Sequence, residues 1–212
     1  MILEILKYPD PRLRKKGLPV VAVDAEMTQL AADMLETMYD SSGIGLAAPQ
    51  VGKIVRLLVV DTRPKDDDGV VLPDEMTELE REITQPLAVF NPEIIRKENK
   101  TSYDEGCLSV PGFYETVERA EYVEVKCLGL DGVEIVLKTD GLLSICLQHE
   151  MDHLDGKLFI DRLSVIKSTR IKSRIKKLGY PTAEEVREEQ RRKRDLHAQD
   201  ENGDGEKEEV AL

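Results

Sequence analysis

The sequence predicts an α+β fold in which antiparallel strands pack around a central helix carrying an H-E-x-x-H metal site, with a further helix toward the C-terminus. Three observations carry this prediction. Apolar residues recur at helical spacing after Asp24, residues 123–137 alternate with period two around an Asp131-Gly132 turn, and an apolar run from Leu142 encloses His149-Glu150-Met151-Asp152-His153.

The first helix places Met27, Leu30, Ala31, Met34, Leu35 and Met38 on one stripe and ends before Gly43. Methionines at that spacing are core side chains. The small, glycine-rich stretch Gly43 to Gln50 then leads into the β-branched run Val55 to Val60, a predicted strand. Residues 66 to 82 carry Asp66, Asp67, Asp68, Asp74, Glu75, Glu78, Glu80 and Glu82 beside Gly69 and Pro73, and read as a solvated surface insertion. Order is expected to resume over Leu87-Ala88-Val89-Phe90, before Asn91-Pro92.

Val123, Val125 and Cys127 alternate with Glu124 and Lys126, and Asp131-Gly132 turns the chain into Val133 to Leu137, a hairpin that makes Cys127 a core residue. Thr139-Asp140 is expected to cap the buried helix over Leu142 to Leu154, which closes at Gly156. A last helix is expected over Ser164 to Leu178. Its apolar stripe would be Ile171, Ile175 and Leu178, with Lys167, Arg170, Arg174 and Lys177 on the adjoining face. Glu184 to Arg194 is compatible with helix, and the acidic stretch from Asp195 is expected to be disordered. The organisation expected is a catalytic domain over 1–164, a charged helical extension over 165–194 and an acidic tail over 195–212.

With 212 residues, 41% hydrophobic and 34% charged, the chain suits a soluble globular domain. No apolar run approaches the roughly 20 residues of a bilayer span, so no membrane partner is expected. Glu4, Lys7 and Asp10 interrupt the first residues before any apolar leader could form, so the protein is expected to stay in the cytoplasm. Three cysteines cannot all pair, and a reducing compartment keeps them as thiols. A net charge of −12 argues against general nucleic-acid or specific DNA binding, although residues 163 to 183 contain Lys and Arg and no acid.

In H-E-x-x-H the two imidazoles lie four positions apart on one helix face, where they can share a metal ion, and the glutamate beside them can carry a proton. Chance places a histidine pair at this spacing in a chain with three histidines about three times in a hundred, and roughly a tenth of those would include Glu, so accident is a poor explanation. His197 lies alone in the charged tail. A catalytic site needs a third protein ligand and an open position. Phe159 stands where a metzincin has its third histidine, which excludes that arrangement. Glu184 or Glu185 would serve a gluzincin-type site but lie in a charge-rich stretch. Cys146, one turn before His149, suits packing. Cys107 follows Gly106, whose lack of Cβ permits close backbone approach. Thiolate suits such a site, but spacing alone leaves the third ligand open.

Three segments together resemble the signatures of the peptide deformylase family: Gly43 to Gln50 (G-x-G-x-A-A-x-Q), Glu105 to Ser109 (E-G-C-L-S) and Gln148 to Gly156 (Q-H-E-x-D-H-L-x-G). The likeness runs from Leu6-Lys7-Tyr8-Pro9-Asp10 to near Ser164. It implies that Cys107, His149 and His153 bind the metal and that Glu150 is general base and acid. It also implies that the Gln50 amide and the Leu108 N–H donate to the formyl oxygen, that Gly45 lines the peptide cleft, and that Ile44, Leu142, Ile145 and Cys146 wall the methionine pocket. The metal implied is Fe²⁺, replaceable by Zn²⁺, Ni²⁺ or Co²⁺. The substrate implied is an N-formylmethionyl nascent peptide, met at the ribosome through basic residues 167–177. The acidic insertion at 66–82 and the tail after Leu178 depart from the family pattern. The alternatives are a zinc endopeptidase built on the same helix, and an RNA-binding module built on the basic segment.

Overall fold

The computed structural model describes residues 1–188 together with 191 and 192. A helix over Ala25–Asp40 (α1) precedes strands Gly45–Ala47 (β1) and Leu57–Val60 (β2) and a short helix Glu78–Glu82 (α2). Strands Leu87–Glu98 (β3), Thr101–Glu105 (β4), Glu115–Arg119 (β5), Tyr122–Leu128 (β6) and Glu134–Thr139 (β7) follow, then helices Gly141–Leu154 (α3) and Val165–Leu178 (α4). The main sheet has the antiparallel order β1-β2-β3-β6-β7, and β4 pairs with β5 as a separate ribbon.

The main sheet is sandwiched between helices, and the alternation of β2 shows how. Leu57 and Val59 join Leu30, Met34 and Met38 of α1 and Phe90 of β3 in one cluster. Leu58 and Val60 point the other way, to Val89, Val123, Val125 and the α3 residues Leu143, Leu147 and Leu154. Because both faces are covered, all four β2 side chains are buried, a stabilisation of ~1.5–3 kcal/mol each. The α1 stripe forms as its spacing predicts, and the Asp24 carboxylate caps it by accepting the Met27 N–H at 3.0 Å. Every α3 side chain from Leu143 to Leu154 is buried, which makes it the central helix. On the hairpin β6–β7, Val123, Val125 and Cys127 face this core.

Four local expectations are corrected. β3 does not stop before Asn91-Pro92 but runs on to Glu98, with a register shift between Phe90 and Glu93. The irregularity is tolerated because Asn91, at φ 50, turns its amide to the N–H and carbonyl of Val20, both at 2.8 Å. The acidic segment is not uniformly solvated, for Glu80 is buried and its carboxylate accepts the Leu143 N–H at 2.9 Å. Glu80 therefore caps α3. Asp140 makes no capping bond and instead accepts the Thr77 hydroxyl at 2.5 Å. In α4, Ile171 and Ile175 pack onto Val110, Val117 and Phe159, whereas Leu178 is 75% exposed and leaves the stripe. Residues 183–188 are helical, within the stretch read as helix-compatible, and the 195–212 tail lies outside the described residues.

Candidate metal centre

The central helix carries His149 and His153 one turn apart, with ring centroids at 5.0 Å. Cys107 reaches the same point from the loop after β4, and its Sγ lies 3.3 Å from His153 Nε2. Ligand atoms of Cys107, His149 and His153 all lie within 4.8 Å of one another. No other such grouping of His, Cys, Asp or Glu occurs among the described residues.

A chain of buried charges holds this triplet. His149 Nδ1 lies 2.8 Å from Glu105 Oε2, which leaves Nε2 to face the triplet. Arg119 binds the same carboxylate with two nitrogens, at 2.6 and 2.8 Å, and donates to Asp152 at 2.6 Å. Asp152 also accepts from the Arg162 guanidinium. Burial opposes the charges on Glu105 and Asp152, but the hydrogen bonds from Arg119 with His149, and from Arg162 with Arg119, outweigh it and hold both carboxyls below their ordinary values. No pattern in the sequence assigns a role to Arg119, Asp152 or Arg162. Asp152 lies inside the helix motif and Glu105 inside the cysteine motif, which is a local signal for both, whereas nothing near Arg119 marks it.

The triplet suits a divalent cation by its chemistry: one sulfur and two imidazoles, the softer donors that transition metals favour. Burial would lower the His149 pKa, yet Cys107 and Glu105 raise it well above the ordinary value. The negative surroundings that favour a proton on this ring favour a cation among the three ligands. His153 is pushed down by burial and by His149, which keeps a lone pair available.

Glu150 stands beside the triplet with its Oε2 buried and unpartnered among the described residues. Burial first, then neighbouring Glu105, pushes its pKa up to about 7 against the opposing His149. Gly45 is required here: a Cβ would sit 2.5 Å from Glu150 Oε1 and 2.7 Å from Cys146 Sγ. Gln50 sets its oxygen on the Ala47 N–H at 2.8 Å and turns its nitrogen toward Ser109 Oγ at 3.2 Å and Cys107 Sγ at 3.6 Å. The Leu108 N–H has no hydrogen-bond partner among the described residues.

A cleft of about 360 Å³ opens over these groups. Ile44, Gly45, Gln50, Leu108, Leu142, Ile145, Cys146 and Glu150 all line it with Cys107 and His149, so the residues singled out by sequence converge; His153 is joined to them through the triplet and is not itself a lining residue. Cys146 is buried and offers its thiol to the Ile44 carbonyl at 3.6 Å rather than to the triplet. Cys127 is in the sheet core. Phe159 stacks on His149 at 6.4 Å; Glu185 is engaged by Arg174 at 3.1 Å, and neither Glu184 nor Glu185 groups with the two histidines among the described residues, so the gluzincin-type alternative has no support.

Comparison with known proteins gives one consistent result. The family model described as polypeptide deformylase matches residues 2–169. A peptide deformylase of Alkalilimnicola ehrlichii is 48% identical over 177 residues, covering 84% of this chain and 90% of that protein. One from Cellvibrio japonicus is also 48% identical, over 83% of this chain and 95% of that protein. Among solved structures, the chain is similar to a peptide deformylase from Legionella pneumophila, with TM-score 0.70, 41% identity and coverage of 84% and 95% of the two chains. It is also similar to the peptide deformylase from Ehrlichia chaffeensis in complex with actinonin, with TM-score 0.72, 37% identity and coverage of 84% and 98%.

Proposed function

The chain belongs to the polypeptide deformylase family, and we propose that it carries out the family's reaction with Cys107, His149 and His153 as metal ligands and Glu150 as proton carrier. The reaction is hydrolysis of the N-formyl group from the N-terminal methionine of newly made proteins, with release of formate. The observation that carries the assignment of roles is the convergence of a Cys-His-His triplet with a buried, unpartnered carboxylate on one cleft.

When bound, a divalent cation supplies Lewis acidity that makes water a nucleophile near neutral pH and polarises the formyl carbonyl. Glu150 Oε2 takes the proton from the attacking water and later delivers it to the departing amine, a task suited to a carboxyl raised to about 7. As charge grows on the formyl oxygen, the Gln50 amide and the Leu108 N–H donate to it. Each such donor is worth ~3 kcal/mol when held in place. Ile44, Leu142, Ile145 and Cys146 enclose the methionine side chain, and Gly45 leaves room for the peptide beside Glu150. The cation is Fe²⁺, with Zn²⁺, Ni²⁺ or Co²⁺ able to replace it, since supply rather than affinity decides among them at such a site.

Residues 1–164 form the catalytic unit and 165–194 its charged extension. The protein works in the cytoplasm and docks on the ribosome through residues 167–177. Exposed Arg170, Lys176 and Lys177, unpaired among the described residues, support that docking, while Lys167 and Arg174 are engaged by Glu115 and Glu185. Metal analysis of anaerobically purified protein, paired with turnover of a formyl-Met peptide and of casein, tests the reading. Stoichiometric transition metal and formate release are expected. Casein cleavage without formate release would replace deformylation by endoproteolysis.

A further inference from the structure

Residues 180–188 follow α4, beyond the span matched by the family model, which ends at 169. They turn back onto the loop that bears Cys107. The Tyr180 hydroxyl donates to the Tyr8 carbonyl and, at 3.4 Å, to the Ser109 carbonyl, while its ring meets Phe113 edge-on at 6.4 Å. Pro181 and Val186 press on Gly112 so closely that a Cβ there would lie 2.6 Å from Pro181 Cγ and 2.9 Å from Val186 Cγ2. The segment is itself fixed, for the Thr182 N–H donates to Glu185 at 2.7 Å and Arg174 of α4 pairs with Glu185 at 3.1 Å.

The loop over residues 106–114 has no strand ladder or helix of its own, so tertiary contacts set its position. Its inner side is functional: Cys107, Leu108, Pro111 and Gly112 line the cleft. Ser109 joins the two sides. Its hydroxyl accepts from Gln50 at 3.2 Å, its N–H points at Cys107 Sγ at 3.4 Å, and its carbonyl takes the Tyr8 N–H at 2.9 Å as well as the Tyr180 hydroxyl. Pro111 and Gly112 wall the cleft on one side, and Gly112 receives Pro181 and Val186 on the other.

We propose that Tyr180 and Val186 are positioning residues for the deformylation reaction, holding the Cys107 loop from behind in two places. Tyr180 acts through Ser109 on the geometry of Cys107 and Gln50. Val186 acts through Gly112 on the cleft wall. The inference rests on the deformylase reading of the same site, and it gives the chain beyond the family's matched span a part in the chemistry.

The two contacts predict different kinetic signatures. Tyr180→Phe removes the hydroxyl alone, and should lower kcat about fivefold and speed metal release to a chelator by a similar factor, as loss of one hydrogen bond implies. Val186→Ala removes the bulk on Gly112, and should raise KM for a formyl-Met tripeptide about threefold with kcat little changed, while Val186→Ile restores it. Both side chains are only half-buried, so the folded enzyme survives each change. Leu137→Ala, destabilising but in the sheet core, should lower the melting temperature and leave kcat, KM and metal release as in the wild type. Wild-type constants in both Tyr180→Phe and Val186→Ala would overturn the proposal, as would losses that appear equally in Leu137→Ala. A wild-type protein that does not deformylate the tripeptide would strike the underlying reading instead.

Discussion

Glu105 Oε2 lies 2.8 Å from His149 Nδ1, and Arg119 grips both oxygens of the same carboxylate, Oε1 at 2.6 Å and Oε2 at 2.8 Å. A ligand histidine is thus oriented by a carboxylate that is itself immobilised. Glu105→Gln removes the charge that strengthens the ring as a donor, so metal affinity should fall about 10–100-fold. Competition with a graded series of chelators measures it, and unchanged affinity would remove Glu105 from the support of the site. Arg119→Met should cost ~3–5 kcal/mol in denaturant unfolding, because Glu105 and Asp152 would remain buried without their shared cation.

Glu150→Gln should retain metal and fold while kcat drops by several orders of magnitude, since the amide cannot accept the water's proton. Gly45→Ala tests the same carboxylate by crowding it, its Cβ meeting Glu150 Oε1 at 2.5 Å. It should lose activity without losing metal. Turnover near wild type in metal-replete Glu150→Gln would assign the proton transfer elsewhere.

The cysteines separate by environment. Cys107→Ala should abolish metal retention, as should His149→Ala or His153→Ala, whereas Cys127→Ala leaves the metal in place because that thiol packs in the sheet. Cys146→Ala should also keep metal, with a change in KM from the altered pocket wall. Elemental analysis after gel filtration decides, and full occupancy in Cys107→Ala contradicts the ligand assignment.

Acid should act on the fold through Asp61. Burial disfavours its charge, but hydrogen bonds from Arg63, Tyr39 and Lys65 outweigh burial and lower its pKa in the folded protein. A lowered carboxyl binds fewer protons folded than unfolded, so its stabilisation is complete above the ordinary carboxylate value of ~3.9 and is lost as pH falls toward the folded value. The stability gap between wild type and Asp61→Asn should therefore be widest near neutral pH and shrink below pH ~4. A gap independent of pH from 7 to 3 would show that Asp61 contributes by packing alone.

The proposed ribosome docking is tested at the cations that α4 leaves unpaired among the described residues. Lys167 pairs with Glu115 and Arg174 with Glu185, so charge reversal at Arg170, Lys176 and Lys177 should weaken binding most. Co-sedimentation with ribosomes should fall steeply with added salt in the wild type. The triple variant should deformylate a short peptide at the normal rate. Absence of any salt-sensitive association would reduce the basic face to solvated surface.

The chain itself determined those features that local chemistry writes into short stretches. The helix over Ala25–Asp40, the β6–β7 hairpin and the H-E-x-x-H helix were legible because period and turn residues act between near neighbours. Spacing could not choose the third ligand, since Cys107 and His153 are 46 residues apart and meet only when the loop after β4 folds over α3. Tertiary structure alone decided that Glu80, in a segment that reads as solvated, caps the central helix, and that Arg119 links Glu105 to Asp152. It also decided that Leu178 stays in solvent while Ile171 and Ile175 are covered. A helical period shows which side chains share a face, but what covers that face, and whether a distant charge finds a buried partner, depends on long-range packing that no local pattern contains.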